Sequence, residues 1–148
     1  MKPTSLRLLA VALASLAFAS CSSNHSSDTQ TTASLVNTYW KLLSLSGDPV
    51  VVFENQREPH FVLHREQHRL AGYSGCNHLM GRYQLKANEL RFLEVGGTLM
   101  ACERGMETEA RFLEALRVTT RWQIHGERLE LFDSRGQSLA KFESVYLR

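Results

Sequence analysis

From Leu35 onward, turn residues divide the chain into short runs rich in β-forming side chains, and only one stretch has helical periodicity. That pattern restricts the chain to a sheet-built domain with a single helix. Tyr39-Trp40-Lys41-Leu42-Leu43-Ser44-Leu45 sets Trp40 and Leu42 against polar neighbours and stops at Ser46-Gly47-Asp48-Pro49. Further strands are expected at Val50 to Phe53, Phe61 to His64, Arg69 to Ser74, Met80 to Lys86 and Glu89 to Leu93. Ala87-Asn88 suits a two-residue hairpin turn because Asn tolerates positive φ. Arg121 to Ile124, Arg128 to Phe132 and Ser138 to Phe142 are expected to form a closing meander, with Gly126 and Ser134-Arg135-Gly136 at its turns.

The helical stretch runs from about Gly105 to Arg117. Met106, Ala110, Leu113 and Leu116 recur at helical spacing, which assigns Glu107, Glu109, Arg111 and Glu114 to the solvent side. Thr119 and Thr120 return the chain to β preference. No internal repeat and no second domain is visible.

Ahead of this domain lies an export signal. An apolar run from Leu8 to Phe18 follows Lys2 and Arg7 and ends in Phe18-Ala19-Ser20-Cys21. Basic residues, a short apolar run and small residues before a break make a secretory signal, too short for a permanent membrane helix. Cys21 after the break resembles a bacterial lipobox, in which the thiol is acylated and the chain is cut before it. Residues 1–20 are therefore expected to be a lipoprotein signal peptide, 21–34 a Ser/Thr-rich flexible tether with nothing to bury, and 35–148 the folded domain. Ser22 stands where an Asp would resemble an inner-membrane retention signal. The expected location is the outer membrane, facing the periplasm, with the lipid on Cys21 as the membrane contact.

Cleavage leaves 128 of the 148 residues, enough for one compact domain. It also removes Lys2 and Arg7 from the 17 basic side chains, which then balance the 15 acidic ones. With no basic stripe, nucleic acid is not an expected partner.

Cys76 and Cys102 are the remaining thiols. In an oxidising compartment they read as a disulfide contributing about 3 kcal/mol. Two buried free thiols, a zinc site including His78, or a reactive Cys76 with His78 as base are the alternatives. Zinc wants four well-spaced ligands and only three are at hand. Gly72-Tyr73-Ser74-Gly75-Cys76 imitates a nucleophile elbow, but Cys76 stands where that motif needs Gly. His60, His64 and His68 are evenly spaced, yet the β-like Phe61-Val62-Leu63 makes exposed strand histidines the expectation, with no metal site. Trp40, Tyr83, Phe92, Phe112, Trp122 and Phe142 suit either a filled core or the wall of a small apolar cavity, and a barrel of this size allows both.

Several of these segments together resemble the META domain family, which includes heat-inducible lipoproteins of the HslJ type. They are Asn37-Thr38-Tyr39-Trp40-Lys41-Leu42, Gly72-Tyr73-Ser74-Gly75-Cys76-Asn77, Gly81-Arg82-Tyr83, Thr98-Leu99-Met100-Ala101-Cys102, Glu109 to Leu116, Leu129-Glu130-Leu131 and Leu139-Ala140-Lys141-Phe142. Glu103-Arg104-Gly105 departs from the Pro/Asp-rich link expected after Cys102. The resemblance implies a mainly β (α+β) fold: a small antiparallel, partly open β-barrel of about eight strands with one amphipathic helix packed against it. It also implies a monomeric envelope protein linked to tolerance of heat and of hydrophobic antibiotics such as novobiocin, binding an envelope protein or an apolar ligand. It brings no catalytic residues and no cofactor, so the chain is not expected to be an enzyme. A pilot lipoprotein assisting secretin-like outer-membrane assembly is the alternative reading.

Overall fold

A computed structural model describes residues 32–146. The signal peptide, Cys21 and most of the expected tether lie outside the described residues. Turn chemistry sets the element boundaries. Ser46 and Gly47 both adopt positive φ, and they fold β1 (Tyr39–Leu45) back onto a two-residue stub, β2 (Asp48–Pro49). β3 (His60–His64) and β4 (Arg69–Tyr73) form a hairpin around a 3-10 turn at Glu66–His68. β5 (His78–Lys86) and β6 (Glu89–Gly97) form the longest hairpin. The helix α1 (Met106–Val118) follows, and then β7 (Arg121–His125), β8 (Arg128–Phe132) and β9 (Ser138–Val145).

All strand pairs are antiparallel, in the order β2-β1-β3-β4-β5-β6-β7-β8-β9, and β1 also pairs with β9. Eight strands therefore form a ring, the expected barrel. It is partly open. Glu89↔Arg121 is the one register pair between β6 and β7, and Leu90 N–H to Thr120 O and Trp122 N–H to Asn88 O flank it. α1 packs chiefly against β6 and also touches β1 and β9.

Alternation along the strands sends one face of each inward. Trp40, Phe61, Leu63, Leu70, Leu90, Leu129, Leu131 and Phe142 are fully buried, and from α1 Phe112 and Leu116 join them. The Phe142 ring lies 4.9 Å from Phe61 and 5.9 Å from Phe112, and Phe61 lies 5.8 Å from Phe92. These edge-on and tilted contacts fill the ring. Of the six aromatics read as core or cavity wall, Trp122 alone is half-buried; the other five belong to the packed interior. The indole of Trp40 donates to Leu35 O at 3.0 Å, so a buried polar N–H is satisfied.

Several sequence expectations are corrected. Val50 to Phe53 is not a strand: it follows Pro49 and is fixed by Val50 N–H donating to Leu43 O, with no ladder of its own. The inward face of α1 is Phe112, Ala115 and Leu116, whereas Met106 and Ala110 are exposed. In the β5–β6 turn it is Ala87 that takes positive φ (51°). The tether ends earlier than expected, because Ala33 is buried and its N–H donates to Gly126 O at 2.9 Å.

A braced loop rim as candidate functional site

The turn joining β4 to β5, Ser74-Gly75-Cys76-Asn77, is buried at all four residues. Buried turns need internal partners for their polar groups, and one acid and one amide supply them. Glu109, on the first turns of α1, accepts the backbone N–H of Asn77 at 2.8 Å and the Ser74 hydroxyl at 2.5 Å through Oε2. Its Oε1 accepts from Asn77 Nδ2 at 3.0 Å. The same Nδ2 donates to Met100 O at 3.1 Å, while Asn77 Oδ1 accepts Met100 N–H and the Thr98 hydroxyl, each at 2.8 Å. Asn77 thus holds Met100 by both backbone groups, and every site of its carboxamide is filled.

Cys76 and Cys102 form a disulfide across the same junction, with Cα atoms 5.9 Å apart. Of the readings of these two thiols, this is the one present in the structure. Gly105, which precedes α1, has φ 91°, and a Cβ there would stand 2.6 Å from Gly75 O. Glycine at this position satisfies both the left-handed backbone and the close approach. It also explains how Glu103-Arg104-Gly105 starts the helix without a side-chain cap.

A third loop is tied to these two. Gln56 donates to Arg104 O at 2.9 Å, and the Arg104 guanidinium lies 4.9 Å from the Phe53 ring centroid. Arg111 of α1 donates to Leu45 O at 2.9 Å and to Asp48 at 2.7 Å. The 46–59 loop, the 74–77 turn and the 98–105 loop therefore form one rim. The rim exposes Val51, Val52, Leu99 and Met100 to solvent, Leu99 at 99% exposure, with Met106 exposed beside them at the start of α1. Between the 48–53 segment and the start of α1 is an open groove of about 380 Å³, lined in part by Val50, Val51, Phe53 and Met106.

One family model, the META domain, matches residues 33–146, a span that contains the whole rim and its buried junction. The chain belongs to the META domain family. Among solved structures, this META domain is similar to a protein from Burkholderia xenovorans determined by NMR, at 28% identity and a TM-score of 0.63, with 76% of this chain and 85% of that one covered. A second NMR structure, at 24% identity and a TM-score of 0.56, covers 72% of this chain and 89% of its own and shares the fold. No curated protein matches the chain.

The structure also places the other sequence candidates of the META domain. His78 does not join Ser74 and Glu109: its side chain is exposed, and its ring meets Tyr73 edge-on at 5.9 Å. Ser74, 1% exposed, has its hydroxyl on the Glu109 carboxylate, so the pair braces a turn and offers no nucleophile to solvent. The three evenly spaced histidines do not gather: His60 and His68 meet different aromatic partners. His60, expected to be exposed, is buried; it stacks on Tyr39 at 4.2 Å, with Nδ1 2.9 Å from Glu58 O. Burial holds its pKa below the ordinary value, as it does for His64, and nearby Arg57 adds to the effect at His60. Burial also raises the Tyr39 phenol, with Glu58 beside it. His68 sits in the β3–β4 turn against Tyr83 at 5.4 Å. Among the described residues, no three His, Cys, Asp or Glu side chains are grouped to hold a metal.

The sequence reading missed Asn77 and Glu109 as the centre of this arrangement. One signal was available: Glu109, Phe112 and Leu116 are spaced by three and four residues, so the acid lies on the same helical face as the buried pair.

Proposed function

We propose that this META protein is a non-enzymatic envelope lipoprotein, anchored through acylated Cys21 in the outer membrane and facing the periplasm, that supports stress tolerance by binding a protein partner at the loop rim. The observation that carries this reading is the contrast between a ring filled by aromatic and leucine side chains and a rigidly braced rim that exposes apolar ones. A lipid-handling barrel keeps an internal volume; an exposed apolar patch on a solid body fits a macromolecular partner. The buried Ser74 hydroxyl and the separation of His78 from it support a role without catalysis. The family resemblance supports the stress role and the envelope location. Balanced charge in the cleaved chain argues against a nucleic-acid partner.

The test combines location with contact. Intact mass of membrane-extracted protein is expected to exceed that of residues 21–148 by its acyl groups. A photoreactive residue at Leu99 is expected to crosslink to an envelope protein in living cells under heat or novobiocin stress, whereas one at Tyr146 is not. An unmodified Cys21, or equal capture from both positions, would overturn the proposal. Capture of a secretin subunit would identify the partner as the one a pilot lipoprotein escorts.

A further inference from the structure

At the end of the ring opposite the rim, the β3–β4 turn, the β5–β6 turn and the start of β7 meet. A pocket of about 380 Å³ opens there beside the entering chain. Tyr83 and Leu85 line it from β5 and Trp122 from β7, all three on the inward alternation of their strands. Arg65 and His68 reach it from the β3–β4 turn, and Val36 from the entering segment. The volume is that of a small-molecule site, and the mouth of a barrel is a common place for one.

The two large rings have their polar tips committed to backbone. Tyr83 donates its hydroxyl to His64 O at 3.2 Å, and Trp122 its indole N–H to Ala87 O at 3.2 Å. What they leave for an occupant is aromatic carbon. The charge is of one sign. No carboxylate lines the pocket, and Arg65 has no ion-pair partner among the described residues. Burial raises the Tyr83 phenol while the Arg65 charge opposes that rise, so the field of the guanidinium reaches the pocket. The rim groove differs, because Asp48, Glu103 and Glu107 line it beside its arginines and repel an anion.

Among the described residues, seven other than glycine have positive φ, and Asn37, Gln67, His68 and Ala87 of these lie in the segments that bound this pocket. L side chains disfavour that conformation. Three of the four set a lining group in place. Asn37 Oδ1 accepts the Arg65 N–H at 3.1 Å, the His68 ring lies 5.4 Å from that of Tyr83, and Ala87 O holds the Trp122 indole. Strained backbone that orients side chains is characteristic of ligand clamps. We propose that this mouth binds a small planar aromatic anion, its rings against Trp122 and Leu85 and its acid group on Arg65. The site is separate from the rim and independent of the partner-binding reading.

The test uses residues 22–148, which retain every described residue, and 8-anilinonaphthalene-1-sulfonate as the probe. N-phenyl-1-naphthylamine, the same ring system without the sulfonate, is its neutral counterpart. Titration with the sulfonate is expected to shift the NMR signal of the Trp122 indole N–H and to leave the Leu99 amide in place. In Arg65 only the backbone is bonded. Arg65→Gln is therefore expected to raise Kd for the sulfonate at least about five-fold and to leave the neutral amine unchanged. Leu85→Asp is expected to weaken both probes and Leu99→Asp neither, all with unchanged Tm. No saturable shift at Trp122, or an equal shift at Leu99, would overturn the assignment. So would an Arg65→Gln variant that binds the sulfonate as tightly as the unaltered protein, or decanoate displacing the probe as well as naphthalene-2-sulfonate does.

Discussion

Asn77 donates its backbone N–H to Glu109 Oε2 at 2.8 Å and its side-chain NH₂ to Oε1 of the same carboxylate at 3.0 Å. A turn between two strands and the first turns of the helix are thereby joined through one acid. Replacing Glu109 by Ala leaves the Asn77 backbone N–H without an acceptor in a buried junction, and the Ser74 hydroxyl and Asn77 Nδ2 with only Asn77 O and Met100 O. The expected loss is about 2–3 kcal/mol, measured by urea unfolding. Glu109→Gln is expected to lose less, because one amide oxygen still accepts.

The disulfide and Asn77 hold the same loop by independent means. Cys76→Ser with Cys102→Ser is expected to cost about 3 kcal/mol, chiefly by freeing the unfolded chain. Met100 N–H is expected to stay protected from hydrogen exchange in the folded variant, because Asn77 Oδ1 still accepts it. Thiol labelling of the unreduced, unfolded protein is expected to find no free thiol at either position.

Ala87 occupies a left-handed conformation with φ 51° in the β5–β6 turn. An L side chain is disfavoured there and glycine is not. Ala87→Gly is expected to stabilise the domain by about 0.5–1 kcal/mol, seen as a rise in Tm.

How far the sequence could be read is clear at this hairpin. The turn was placed correctly by Ala87-Asn88, but the residue that bends backward was not, since Asn tolerance of positive φ is a preference and the twist of the two strands decides which position uses it. Trp40/Leu42 was legible as an inward face because alternation is a local property. The span of α1 was legible for the same reason. Its buried face was not, because counting Glu109 as a surface acid rotated the stripe toward Met106 and Ala110. The partners of Glu109 are Ser74 and Asn77, more than 30 residues earlier in the chain, and no local pattern announces such a contact. Val50 to Phe53 was misread in the opposite way: its β propensity is real, but no neighbouring strand offers it a ladder.

His60 gives the domain an acid-sensitive contribution. Burial holds its folded pKa below the ordinary value of about 6.5. Between the folded and unfolded values the unfolded chain binds more protons. The stability from neutral His60 is therefore fully present above about pH 6.5 and is lost as pH falls through the folded value. Denaturant midpoints measured from pH 7.5 down to 5 are expected to decline, and more gently in His60→Phe, where His64 alone of this pair remains to titrate.

The pairing of β1 with β9 puts the first and last strands of the domain side by side, from Tyr39 with Val145 to Leu45 with Ala140. No chain lacking Ser138–Val145 can therefore close the circle: β1 must wait, one flank unzipped, for that strand to arrive. Ring closure is thus timed by the arrival of β9, and a chain stopped before that strand would present a ready seam for mispairing with its neighbours.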